Sequence, residues 1–351
     1  MSISRVVALS DVGAWPAALP SGSATRSGGI DAVRVFGIAA VVAGHCLTNP
    51  LVRPLFYTWH VPLFFFLAGY FWNHNRALDN ELATRTRTLA VPYAMWFVLI
   101  AIPFVALDSS LEGTTWSRLF SPFANGQSSA MPYTTFWFVA VLFVCTLLLR
   151  CLWLLPRPVV WSIAIAGAVL GYWAGDALAR TPLSIGSALP CLIFMMLGTT
   201  ARTARSHIRA PARTGLGLIV ISAATITVGV SAPVDIKQGD YGTPVLSIVV
   251  AALIAFGLVL TAEACFEHLP ARVGRIATQL SYGGFMVVLT HPLVLWLILT
   301  FGPTAPGWVL FVVCSAVPWL AAWLALRTPL SSWLTGVRCL TARCRPLGGT
   351  T

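Results

Sequence analysis

The sequence predicts an all-α fold: a polytopic transmembrane helix bundle of about ten spans, with both termini cytosolic. Three observations predict it. The composition is 57% hydrophobic and only 9% charged, with a mean hydropathy of +0.81. Soluble domains are about a quarter charged, so this chain has too few polar side chains to cover a water-facing surface. Apolar stretches of about 20 residues, the length that crosses a bilayer, recur along the chain. The basic residues gather in alternate connections between those stretches.

The apolar stretches fall at Ala32–Thr48, Phe56–Trp72, Leu89–Leu107, Thr135–Leu155, Val159–Trp173, Leu183–Thr200, Gly215–Ser231, Val245–Ala262, Leu280–Phe301 and Gly307–Leu326. A tight Pro156-Arg157-Pro158 link separates the fourth from the fifth. With the N-terminus placed inside, 17 basic residues lie in inner segments and 4 in outer loops (Arg53, Arg118, Arg180 and Lys237), with Arg34 at a span edge. That imbalance obeys the positive-inside rule and supports an even number of spans. Residues 1–29, rich in Ser, Gly and Ala, read as a flexible cytosolic tail. Residues 30–328 form the membrane domain, and residues 329–351 a basic cytosolic tail. The longest loop, Asp108 to Thr134, faces outward. The Trp content suits side chains at the membrane interface.

The net charge of +11 is nearly all arginine, with Lys237 the only lysine. Placement in short inter-span loops makes topology its explanation, and a nucleic-acid partner is excluded. No zinc spacing joins the eight cysteines to histidines. They read as small apolar residues and reduced thiols. There is no phosphate loop and no Gly-x-Ser-x-Gly elbow, so neither a metal nor a serine nucleophile has a motif here.

Chemistry enters in the first span, which contains Asp31, Arg34 and His45. An ionisable group inside a membrane segment costs about 2.5–3.5 kcal/mol on insertion scales, so each is a functional candidate. Arg34 and His45 are eleven residues apart. They share one helix face, separated by about 16 Å along the axis. The pair can line one tunnel, with Arg34 at the cytosolic mouth and His45 deeper. Asp31, three residues before Arg34, can pair with it. Taken alone, Arg34 reads as a snorkelling anchor, and His45 reads equally as a packing hydrogen bond or a functional group. Together they fit a phosphorylated donor held by a guanidinium, with proton transfer at an imidazole. His60, near the outer end of the second span, either contacts an acceptor or sits at the interface. Trp137 reads as an interface belt residue or part of an acceptor site. His291 precedes Pro292 in mid-helix, where a kink can open.

The Asp31, Arg34 and His45 pattern resembles the first-span signature of the acyltransferase 3 family, membrane O-acyltransferases that modify polysaccharides and related glycans. The run from His60 through Tyr70 resembles the family's second-span block, with Ala68 in place of a usual Ser. Arg87 with Val91-Pro92-Tyr93 and Trp96, Trp137-Phe138, Leu189-Pro190 through Leu197-Gly198, and Ser281-Tyr282 through His291-Pro292 resemble later blocks in order. An Arg-x-x-Arg motif common in the family is replaced by Arg85-Thr-Arg87.

The resemblance implies a multi-pass cell-membrane enzyme, with acyl-CoA (acetyl-CoA foremost) as donor substrate and no metal. The acceptor would be a hydroxyl of a cell-envelope glycan or glycolipid. His45, Arg34 and Asp31 would be catalytic, and Arg34, Arg87 and Arg85 would bind the donor. His60, Trp137 and His291 would bind the acceptor. A proton-coupled transporter or flippase is the alternative reading of the same intramembrane pair.

Overall fold

The computed structural model describes residues 27–108 and 115–340. They form fourteen α-helices: α1 Gly28–Cys46, α2 Val52–Tyr57, α3 Pro62–Tyr70, α4 Leu78–Arg85, α5 Val91–Asp108, α6 Thr115–Ala124, α7 Phe136–Leu152, α8 Arg157–Ala179, α9 Ala188–Arg205, α10 Pro211–Thr227, α11 Leu246–Glu267, α12 Ala271–Phe301, α13 Gly307–Ala325 and α14 Ser331–Thr335. Among the described residues there is no strand beyond one isolated bridge, Asp235 to Asp240.

Seven helical runs, not ten, are long and apolar enough to cross a membrane: α1, the continuous run Leu78–Leu107, α8, Pro182–Arg205, α11, α12 and α13. Length accounts for the difference. Helices α7 and α10 are apolar but only 17 residues each, about 25 Å at 1.5 Å per residue. The expected second span is broken. Pro62 begins α3 and has no N–H to carry a helix through this point. The preceding Trp59 and His60 amides both turn back onto the Phe56 carbonyl. The result is a nine-residue helix, α3, whose every residue is buried. Short helices at membrane depth are tolerated when protein surrounds them. The chain is a multi-pass membrane protein. Large apolar side chains such as Leu154, Trp173 and Val228 stand exposed on its flanks, as lipid contact requires.

Close packing of α3 on α9 needs glycine. A Cβ on Gly69 would overlap the Met195 carbonyl, and one on Gly198 the Phe66 carbonyl. Backbones approach this closely only at small residues, the usual device for joining helices in lipid. Helix α1 runs through the centre against α11, α12 and α13.

The bundle has two ends. At one, the start of α1 meets the start of α12 and the end of α11, where the backbones of Gly28 and Gly274 nearly touch. The ends of α3, α7 and α9 gather there too. At the other end, the last turn of α1 meets the α2–α3 turn, the start of α7 and the 228–245 connection.

Of the tails, residues 1–26 and 341–351 lie outside the described residues, while residues 28 and 29 already belong to α1. Residues 331–335 form α14, whose Leu334 carbonyl accepts the Trp96 indole N–H at 2.8 Å. Cys339 is disulfide-bonded, against the expectation of reduced thiols there. In the expected outer loop, α6 occupies residues 115–124.

Candidate active site

Helix α1 ends at Cys46, so His45 sits in its last turn. It opens onto a cavity of about 370 Å³. The wall opposite α1 is built from His60 and Tyr57 of the α2–α3 segment, and from Thr134, Thr135 and Trp137 around the start of α7. The 228–245 connection adds Asp235, Lys237 and Gln238. Val41, Phe64, Phe138 and Val288 supply apolar surface. A cavity with aromatic and aliphatic walls and a few convergent polar groups is the usual form of a small-ligand site.

Local sequence explains the polar placements. Pro292 in α12 cannot donate to Val288, four residues earlier. The freed Val288 carbonyl instead accepts the Thr135 hydroxyl at 2.8 Å, which draws the start of α7 onto α12. One turn along, His291 Nδ1 lies 2.9 Å from the Val287 carbonyl. With Nδ1 donating there, Nε2 is the basic nitrogen. That Nε2 is buried without a hydrogen-bond partner, and the His291 ring centroid lies 5.3 Å from that of His45. His60 repeats the arrangement, with Nδ1 2.7 Å from the Phe56 carbonyl. Its ring meets Tyr57 edge-on at 4.9 Å. His45 makes no protein hydrogen bond among the described residues, so both its nitrogens are available to a ligand.

At the cavity wall, Lys237 Nζ donates to the Ser129 carbonyl at 2.6 Å and to Thr134 Oγ1 at 2.7 Å. Burial pushes this ammonium down to about 8, with Asp235 opposing the shift. Arg53 pairs with Asp235 at 3.0 Å and covers the Tyr57 ring.

The acyltransferase 3 family model, described as an acyltransferase domain, matches residues 27–327. The chain belongs to the acyltransferase 3 family. The match runs from the start of α1 past the end of α13, and so includes every wall of the cavity. No curated protein and no solved structure matches the chain. Membership makes the protein an acyltransferase. Acyl-CoA donors are typical of the family. No group of three or more His, Cys, Asp or Glu suited to a metal ion occurs among the described residues.

Of the predicted residues, the structure brings His45, His60, Trp137 and His291 together at one end. Arg34 and Asp31 lie toward the other end of α1, and the cavity lining does not include them. Asp31 is fully buried. It accepts Arg34 Nη1 at 2.7 Å, Thr278 Oγ1 at 2.7 Å and Ser281 Oγ at 3.1 Å. The Arg34 guanidinium lies over the Phe71 ring.

Arg85 is buried and bound to Glu81 at 2.7 Å. Arg76 and Arg150 reach the same carboxylate at 3.2 and 3.3 Å. Arg87, two residues on in a π-turn (Thr86–Ala90), is exposed. Sequence reasoning missed Tyr57, Arg53, Thr134, Thr135, Asp235 and Lys237. The one signal for them was Lys237, the sole lysine among 22 basic residues.

Proposed function

We propose that this acyltransferase moves an acyl group, acetyl in the simplest case, from cytosolic acyl-CoA to a hydroxyl of a cell-envelope glycan or glycolipid. The protein would sit in a bacterial cell membrane. The observation that carries the reading is His45. It is an imidazole with no hydrogen-bond partner among the described residues, in a cavity with hydrogen-bonding walls, inside an acyltransferase domain.

In direct transfer, one His45 nitrogen takes the proton of the acceptor hydroxyl. The oxygen attacks the thioester carbonyl, the C–S bond breaks, and the imidazolium returns its proton to the leaving thiolate. In the covalent route, the same imidazole first takes the acyl group from sulfur and then gives it to the hydroxyl. Detection of an acylated His45 by mass spectrometry after mixing with donor alone selects the second route.

On this reading the Arg34 end faces the cytosol and the His45 end the outer face, which the arginine-rich connections at the Arg34 end support. Arg34, oriented by Asp31, would hold the donor at its phosphates, with exposed Arg87 beside the same face. Arg85 is spent on Glu81 and serves the donor only through that cluster. His60, Trp137 and Tyr57 would seat the acceptor sugar. Purified protein given radiolabelled acetyl-CoA and envelope glycans should label the glycan. A His45→Ala chain that labels it at the normal rate would overturn the assignment.

A further inference from the structure

Lys237 is the only lysine of the chain. Its side chain is half-buried in the wall of the His45 cavity. Two of its three N–H donors go to neutral oxygens, those of Ser129 and Thr134. The third has no protein acceptor among the described residues. The one carboxylate on this wall, Asp235, is taken up by Arg53 at 3.0 Å and by the Gln238 amide. With its histidines neutral, the cavity therefore carries one more positive charge than negative. An ammonium held by neutral oxygens has lost hydration that only an anion restores fully, and charge-assisted hydrogen bonds are the strong ones. A small free anion would leave the aromatic and hydroxyl walls unused, whereas a sugar ring would use both.

We infer that the acceptor carries an anionic group, a carboxylate or a phosphate ester on the glycan, which Lys237 receives at the wall of the His45 cavity. The inference rests on the acyl-transfer reading of that cavity and narrows its acceptor to acidic glycans. Lys237 is then a specificity residue, and Arg53 keeps Asp235 from repelling the incoming charge.

The test uses the full-length protein with radiolabelled acetyl-CoA and matched oligosaccharides: a neutral hexose chain, its C6-oxidised uronate counterpart and its 6-phosphate. The readout is the ratio of kcat/KM for each acidic acceptor over the neutral one. The expected ratio is tenfold or more for at least one acid in the wild type. It should fall close to one in Lys237→Gln and be largely kept in Lys237→Arg. Which acid wins separates carboxylate from phosphate. A wild-type ratio near one overturns the proposal. So does a Lys237→Gln effect that lowers all acceptors equally, since that would place the lysine on the reaction's developing charge.

Calorimetric titration of the acidic oligosaccharides without donor reads the site apart from chemistry. Lys237-dependent binding with no transfer to any acceptor upholds the anion site and sinks the acyl-transfer reading of the cavity. Transfer to neutral glycans without binding of either acid does the reverse. The wild-type ratio needs no variant, so a ratio near one overturns the proposal even if Lys237→Gln fails to fold, and Lys237→Met then supplies the Lys237 dependence of the titration.

Discussion

The two ends of the bundle treat their charges differently. At the Arg34 end, acids and bases meet inside the protein. Asp31 is surrounded by Arg34, Thr278 and Ser281, Glu81 by three arginines, and Glu263 by Arg205 at 2.7 Å. At the His45 end one ion pair, Arg53 with Asp235, stands beside polar groups that are left open. Among the described residues, His45 makes no hydrogen bond, His291 keeps a bare Nε2, and Lys237 keeps a spare donor. A buried ion pair is satisfied at the cost of desolvation and gains little in net stability. A buried polar group left open costs more, and persists where a ligand will complete it. On the proposed reading, the first end holds the structure together and positions the donor, and the second end receives the acceptor.

The largest effect should come from His45→Ala. Removal of a general acid–base group typically costs about 10²–10⁴-fold in rate. The drop should appear in steady-state transfer, with the melting temperature in detergent close to wild type. A large fall in melting temperature would place His45 with the structural end and erase the contrast.

Glu81→Ala tests the other side. It strands three guanidinium groups, two of which, those of Arg85 and Arg150, are almost fully buried. Breaking a buried pair by removing one partner costs about 3–5 kcal/mol. Thermal unfolding should shift strongly, while the kcat of the surviving folded fraction stays near normal. An unshifted melting curve with lost donor affinity would make this cluster part of the donor site instead.

Arg34→Lys sharpens the comparison, because Arg34 is the ionic residue proposed to do both jobs. An ammonium can still meet Asp31 but lacks the planar fork. The expected outcome is a fall in kcat/KM for acyl-CoA of about 10–100-fold, in the range of one charged hydrogen bond. Unchanged acyl-CoA kinetics would confine Arg34 to the structural end.

How much of this could be read from the sequence follows from what is local and what is not. Span existence is local, so α1, α8, α11, α12 and α13 were legible from apolar length. The broken second span was harder, because Pro62 reads as tolerable within an apolar run until the Phe56 carbonyl is seen capturing two amides. The proposed role of His45 starts from its cost inside a membrane. Helix periodicity put Arg34 and His45 on one face, but a shared face does not make a shared cavity. Three turns separate opposite ends of the bundle. The Arg85–Glu81 pair is local too, since i,i+4 spacing on one helix offers it. Lys237 and Asp235 could not be placed, since nothing local brings the 228–245 connection over the end of α1.

The smallest effect concerns pH. Burial holds the Lys237 ammonium down at about 8, with Asp235 pulling the other way. It is charged below that pH and neutral above it. The preference for an acidic over a neutral acceptor should therefore be full near pH 7 and decline through about pH 8. By pH 9 it should have fallen by at most about tenfold, the loss in protonated lysine over that interval. The imidazoles of His45 and His60 share the cavity, so the neutral acceptor, run at every pH, divides out their titration. A ratio flat from pH 7 to 9 would show that the lysine meets no charge on the substrate. The open end would then be set by its histidines alone.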